Sequence, residues 1–442
     1  MPLLSFICIY LVVLSSIHHW IVLTLLLIVV NTQEFINQYR TGDIRQLALK
    51  GDSFPDVNMK WALQQIAGYQ RVKNRLPLWT SNPDIVYPPQ INIEQCSSEE
   101  SANYKLQFLD TYAPHLDKKR FVDLTGGYGV DSYWLSTYFE KGIYVEQNKE
   151  LCEIAQRNFK TLGANQLLVI NKSAQEILAQ LDTVSLIYID PARRSESGAK
   201  VAALEDCTPN ILEMMPEMLQ KSTYVLVKLS PMFDQHVACQ QIPETLACAV
   251  VALNNECKEL LLLVSRKQEA IESVKGCPIE AINIQHGVQQ SSVDFIRGGQ
   301  EVSSQMESCN SYVNLDELAS YHFLYEPNTA IMKQQGFKVL SARYHDSKLM
   351  KLSQNSHLYV SSNLIPDFPG RVFKLTNSCK VQKREVRKML EDTKLVHLAV
   401  RNFPLSADAL RKKMGLKEGG DFYLFATMVS DQYRLLCCVK CD

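Results

Sequence analysis

The sequence predicts an α/β fold built on a doubly wound, mostly parallel sheet. Three observations carry this. Five short apolar runs, RFVDLT, GIYVEQ, QLLVIN, VSLIYID and YVLVKLS, alternate with helical stretches between Arg120 and Ser230. Near-continuous Val/Ile/Leu/Tyr runs are what a parallel sheet covered on both faces requires. A glycine-rich turn, TGGYG, leads from the first run into a helix. Two further runs, TLACAVVAL and CKELLLLV, are separated only by NNE, too short for a helical crossover, so they are expected to close the sheet as an antiparallel hairpin.

The flanks follow in order. Residues 31 to about 80 read as helical, with Trp61, Leu63, Ile66, Ala67 and Val72 on one apolar face. YPPQINIEQ reads as extended because of its paired prolines. Ser97 followed by Glu100 fits a capping box that opens the next helix. Beyond the hairpin, residues 276–318 are rich in Gln, Ser and Gly and read as loops with short strands. Strand and helix return with YHFLYEP, NTAIMKQQGFKVLSARY and SHLYVSS, and a last α/β unit begins near Gly370. The expected organisation is an apolar leader (1–30), a helical N-terminal region (31–95), the sheet domain (96–267), a connecting module (268–368) and a small basic α+β domain (369–442).

With 442 residues, 46% hydrophobic and 21% charged, the chain is an ordinary multidomain globular protein. A formal net charge of −1 excludes a chain that is polybasic throughout. The 13 cysteines are odd in number and scattered from Cys8 to Cys441, which fits reduced thiols in the cytoplasm rather than a disulfide framework. Cys438 and Cys441 form a C-x-x-C, but a zinc site needs two more ligands and none stands near, so no metal is expected. Leu3 to Val30 carries no charge and is long enough to cross a bilayer. Arg40, Arg45, Lys50 and Lys60 follow it and would keep the rest cytoplasmic. Two readings stay open: a membrane anchor, or an upstream extension foreign to the fold. A secretory signal lacks its basic start and its cleavage site. A membrane is a partner only if the anchor is genuine.

The chemistry gathers first at FVDLTGGYGVD. Gly127 and Gly129 let backbone pass close to a ligand and present amide groups to it. Glu146 ends the next strand, where an acid accepts hydrogen bonds from both ribose hydroxyls of a nucleoside cofactor. Val130, Asp131 and Ser132 follow Gly129, so the third glycine of the dinucleotide pattern is missing. Together with the terminal hairpin, this resembles the class I S-adenosylmethionine-dependent methyltransferases, whose sheet is Rossmann-like. Their first motif is D-x-G-x-G-x-G, and Asp123, Thr125, Gly127 and Gly129 stand in that frame, with Thr125 replacing the first glycine. The resemblance implies S-adenosyl-L-methionine as cofactor. Gly127 and Gly129 would line its methionine end, Asp123 would lie near its amino group and Glu146 would take the ribose. Ser173 occupies the place of an acid near the adenine, although a serine there also serves as a helix cap.

The fourth run ends in Asp190-Pro191-Ala192-Arg193-Arg194. In this fold the carboxyl edge of that strand is where cofactor and substrate meet. Methyltransferases of nucleobase amino groups often carry Asp/Asn-Pro-Pro-aromatic there. Asp190-Pro191 keeps the acid, while Ala192 and Arg193 replace the proline and the stacking aromatic. Asp190 is the expected proton acceptor, and Arg193 an expected catalytic partner that stacks on a base or holds a phosphate. Arg194 points to the other side, so one of the two arginines is expected to be structural. Lys228, inside the fifth run, is costly to bury unless it lies at the cleft or snorkels.

DLTGGYGVD, DPARR, KLSPMFD and ECKELLLL, extended by IEQCSSE, YEPN, FPGR, AVRNFPLSADALRKK and GGDFYLFAT, closely resemble a methyltransferase family with a ferredoxin-like module and a C-terminal THUMP-like domain. The likeness covers about residues 31–442. THUMP domains elsewhere bind RNA, so the resemblance implies an RNA substrate, tRNA or rRNA. Charge supports this separately. Residues 371–417 hold 13 Lys and Arg against 4 Asp and Glu, a local net of +9 that leaves −10 elsewhere. Lys383 and Arg387 fall on one helical stretch and Arg411 and Lys412 on another, an electrostatic footprint for a phosphate backbone. The expected function is methyl transfer to a structured RNA. The alternatives are a methyltransferase of a small molecule or protein, and a catalytically idle RNA-binding protein. The oligomeric state is open.

Overall fold

The apolar runs become strands, almost wholly buried over Val184–Ile189 and Ser222–Leu229 and only partly so over Leu167–Ile170. The computed structural model describes residues 31–193, 204–266, 277–285, 287–296, 312–391 and 393–441. The leader and Arg194 therefore lie outside the described residues. Among the described residues, no helix is long and apolar enough to cross a membrane. The chain divides into two units, one holding the residues up to Gln107 and 117–180, the other 108–116 and 181–442.

In the first unit, β1 (Arg120–Asp123), β2 (Lys141–Val145) and β3 (Leu167–Ile170) run parallel in the order β1-β2-β3. The helices Val130–Ser136 and Lys149–Thr161 connect them. Met59–Val72 is the longest wholly N-terminal helix of this unit and buries Ala62, Gln65, Ile66, Gly68 and Val72. A cluster of Val72, Leu76, Trp79, Val86 and Ile93 packs on Tyr128 and Val130 of the glycine loop. Burial of such side chains contributes roughly 1.5–3 kcal/mol each, so the N-terminal helices brace the loop. Gln90–Gln95 is a helix, not the extended segment its prolines suggested, because Pro89 stands at the N-cap and leaves the helix interior free. The cap of helix Glu99–Tyr112 also differs from expectation. Ser98, not Ser97, accepts the Ser101 amide at 3.1 Å.

In the second unit, β4 (Val184–Ile189), the short pair β5 (Ala192–Arg193) and β6 (Cys207–Thr208), β7 (Ser222–Leu229), β8 (Thr245–Leu253) and β9 (Glu256–Val264) follow in sequence. β8 and β9 form the expected antiparallel hairpin, turned by Asn254 and Asn255 at φ 47° and 63°. Within this unit the order is β11-β10-β8-β9-β7-β4, where β10 is Pro278–Gln285 and β11 is Val288–Ile296. These last two strands correct the reading of 276–318 as loops with short strands. β10 lies parallel to β8 and is almost wholly buried. Its polar residues hid it: Glu280 accepts from the Tyr112 hydroxyl at 3.2 Å, and Asn283 accepts the Asn255 amide at 2.8 Å.

The C-terminal part of this unit forms a seven-stranded sheet. Its members are β12 (Phe323–Pro327), β13 (Met350–Lys351), β14 (Tyr359–Ser361), β15 (Gly370–Lys380), β16 (His397–Val400), β17 (Phe422–Val429) and β18 (Gln432–Lys440). The order is β13-β14-β12-β15-β18-β17-β16. The architecture is thus the predicted Rossmann-like α/β sheet with a terminal antiparallel hairpin, N-terminal helices and C-terminal mixed-sheet modules.

Candidate active site

β1 delivers Asp123 into the glycine turn. The side chain is buried, its Oδ1 accepts the Thr125 amide at 2.9 Å, and its Oδ2 accepts the Ser132 hydroxyl. Asp123 therefore shapes the turn from inside. Gly127 and Gly129 both take left-handed φ, 56° and 90°, a region glycine enters without penalty. A Cβ on Gly127 would meet nothing nearer than the Thr125 carbonyl oxygen at 3.8 Å, so the outer side of the loop is open. Glu146 follows β2, half-buried. One of its carboxylate oxygens accepts the Gly127 amide at 3.0 Å and the other the Asn148 amide at 2.8 Å. The loop and the strand-end acid are thus joined directly. Tyr144 closes the floor by donating to the Gly127 carbonyl at 2.6 Å. Burial, then the Glu146 charge, pushes its phenol far above the ordinary range.

Ser173 is engaged as a helix cap. Its hydroxyl donates to Glu176 at 2.6 Å, and the Glu176 amide returns to it at 3.3 Å. Asn171, which sequence reasoning passed over, donates to the carbonyls of Glu146 and Gln147 at 2.9 and 3.0 Å and so fixes the loop carrying the acid. A second group went unread. Lys105, 1% exposed, pairs with Asp131 at 3.0 Å, and Ser97 donates to the other Asp131 oxygen at 2.8 Å. Asp131 sits in the first turn of the helix that leaves the glycine loop, where an acid suits the helix dipole. Burying this pair without its hydrogen bonds would be costly. The sequence signal was a lysine among the apolar residues of ANYKLQFL.

In the second unit, β4 and β7 are parallel neighbours with Ile189 opposite Val227. That register places Asp190 beside Lys228, and Lys228 Nζ lies 2.5 Å from Asp190 Oδ2. The lysine is buried along the strand while the aspartate is nearly one-third exposed, so the carboxylate is the reachable half of the pair. The buried lysine thus lies at the strand edge. Past Asp190 the backbone of Ala192 and Arg193 pairs with Thr208 and Cys207. The Arg193 side chain lies outside the described residues. Cys207 is buried, and its thiol is pushed up to about 11 by burial, then by Asp206, Glu205 and Asp190. Tyr188 before Asp190 and Phe233 after Lys228 are both buried.

The basic residues gather on two helices of the C-terminal module. Lys383, Arg384, Arg387 and Lys388 on Lys383–Met389, and Lys412 and Lys413 on Ala407–Met414, are exposed. The helices meet where Lys383 Nζ comes within 3.5 Å of the position a Cβ on Gly415 would take. Arg411 differs from its neighbours. It bonds Asp408 at 2.6 Å and also Glu418, and is only 22% exposed.

Three family models match: Conserved hypothetical protein 95 over residues 101–242, a ferredoxin-like domain over 323–369 and a THUMP domain-like family over 370–440. A solved structure of a candidate methyltransferase from Porphyromonas gingivalis W83 aligns with TM-score 0.76 and 29% identity, covering 93% of this chain and 98% of that one. The chain thus carries the same three matched regions in series and is similar over nearly its whole length to that candidate methyltransferase. A candidate RNA methyltransferase from Pyrococcus horikoshii aligns at 15% identity over 40% of this chain and 89% of its own, with TM-score 0.30. An rRNA methylase from Streptococcus thermophilus aligns at 15% over 37% and 94%, with TM-score 0.27. Overlaps that weak add nothing to the assignment. No curated protein matches. The ferredoxin-like match begins after β10 and β11, and β10 pairs with β8.

Proposed function

We propose that this protein is an S-adenosylmethionine-dependent methyltransferase acting on a structured RNA, tRNA or rRNA. The observation that carries the cofactor reading is the join between the open glycine loop and Glu146. The donor set fits a nucleoside cofactor. The two oxygens of Glu146 each accept one backbone amide and keep lone pairs for ribose hydroxyls. The left-handed Gly127, whose Cβ would meet only the Thr125 carbonyl oxygen at 3.8 Å, leaves room for a chain to cross the loop. Gly127 and Gly129 would receive the methionine end, and Thr125 would border it. Asp123 acts from beneath by fixing the turn, Asn171 supports the adenine side through the loop it holds, and Ser173 caps the helix that follows.

When bound, the cofactor supplies a methyl group on a sulfonium, already activated by its positive charge. This chain's contribution is then alignment and proton handling. Asp190 accepts the proton or hydrogen bond of the nucleophile, and Lys228 holds it oriented. Arg193 and Arg194 would hold the incoming substrate. No aromatic stands in the Asp-Pro motif, so a nucleobase amino group is one candidate nucleophile among several.

The RNA reading is supported by the THUMP domain-like match and by the exposed cations Lys383, Arg387 and Lys412 on two adjoining helices. Such clusters bind phosphates without sequence preference. Calorimetric titration of the full chain with S-adenosylmethionine and with its demethylated product tests the cofactor. Saturable binding of both is expected, and absence of either would leave only an RNA-binding protein.

A further inference from the structure

We propose that Glu326, Arg371 and Arg401 form a phosphate clamp for the backbone of the RNA, an inference that rests on the RNA reading above. Three stretches that no catalytic role has absorbed, YEPN, FPGR and AVRNF, converge on one carboxylate. Glu326 on β12 stands opposite Arg371 on β15. The approach depends on Gly370, where a Cβ would fall 2.1 Å from the Glu326 carbonyl oxygen. Arg371 Nε donates to Glu326 Oε2 at 2.8 Å, with Nη2 on the same oxygen, and Arg401 Nη2 donates to Oε1 at 2.5 Å. Arg401 also donates to its neighbour's carbonyl, Val400, at 2.9 Å.

The exposures decide the reading. The Glu326 side chain is 5% exposed, whereas those of Arg371 and Arg401 are 40% and 39% exposed. A carboxylate serving only as a pin for two strands would draw its guanidiniums inward with it. Here one buried negative charge fixes the inner edges of two forks and leaves their outer edges in solvent, with one positive charge in excess. Planar guanidiniums match a phosphodiester group by paired hydrogen bonds, and the carboxylate these two share fixes them before the ligand arrives.

The test uses the full chain and a short fluorescein-labelled oligouridylate, with binding followed by polarisation at several salt concentrations. Arg401→Lys and Arg371→Lys keep the charge and lose the fork. Each is expected to weaken binding about fivefold or more with an unchanged melting temperature. In the wild type, oligouridylate is expected to protect both arginines from phenylglyoxal, read by mass spectrometry, and this readout does not depend on any variant folding. Unchanged affinity in the lysine variants, or labelling of both arginines that the oligonucleotide does not slow, overturns the clamp. If the wild type binds oligouridylate but protects neither arginine, the clamp fails alone. If it binds no RNA at all, the RNA reading fails with it.

Discussion

Lys228 Nζ and Asp190 Oδ2 lie 2.5 Å apart at the ends of two parallel strands, one partner buried and the other reachable. The pair explains why a lysine tolerates the interior of β7. Its charge meets a carboxylate at the strand edge, and its stem runs along the apolar strand. Replacing Asp190 with Asn keeps the shape of the pair and removes its capacity to take a proton. Turnover in Asp190→Asn is expected to fall by roughly 10²–10⁴, the range for general base catalysis, while cofactor affinity measured by calorimetry stays at the wild-type value. Undiminished turnover would remove Asp190 from the chemistry.

Glu146→Ala takes away the strand-end acceptor and the bond that ties the Gly127 amide. Cofactor binding is expected to weaken by about 1.5–3 kcal/mol, the scale for hydrogen bonds to a charged group. Equal calorimetric affinity in wild type and variant would contradict the assignment of the ribose to this residue.

The basic helices separate two kinds of cation. Lys383 and Lys412 are exposed, whereas Arg411 is engaged by Asp408 and Glu418. Removing either lysine should lower the slope of log affinity against log salt by roughly 0.7–0.9 for each phosphate left without its cation. Arg411→Ala should leave that slope unchanged. RNA titrations over a salt series read both, and a slope change in Arg411→Ala would mean that its ion pairs open for RNA.

Burial, assisted by Lys351, holds the His357 imidazole down to about 4 from its ordinary 6.5. The ring stacks on Phe337 at 3.7 Å and 22°. With its folded value lowered, the unfolded chain binds the proton first. The stabilisation is therefore present above about pH 6.5 and is lost as pH falls toward about 4. After solvent screening it is worth about 1–2 kcal/mol. His357 has φ 51°, which asparagine tolerates. In His357→Asn, the drop in melting temperature between about pH 7 and pH 5 should shrink relative to wild type. An equal drop would place the acid sensitivity elsewhere.

What was legible follows from which forces are local. VSLIYID and TLACAVVAL could be read as strands because they are nearly all apolar, and Val184–Ile189 and Thr245–Leu253 are buried throughout. The Asn254-Asn255 turn announced its hairpin. β10 could not be read, because Glu280 and Asn283 are satisfied by partners distant in sequence. The Lys105–Asp131 pair and the Glu326 carboxylate were hidden for the same reason, since each joins residues from separate elements. Asp123, Gly127, Gly129 and Glu146 were visible because a strand, a glycine turn and a strand-end acid follow one another along the chain.

The most direct test of the central claim is transfer of tritium from methyl-labelled S-adenosylmethionine by the full chain incubated with total RNA, a protein extract and small metabolites, with each fraction counted separately. The account predicts label in RNA that is lost in Asp190→Asn. Label confined to protein or metabolites would contradict the RNA substrate, and no transfer to any fraction by a chain that binds the cofactor would contradict the methyltransferase itself.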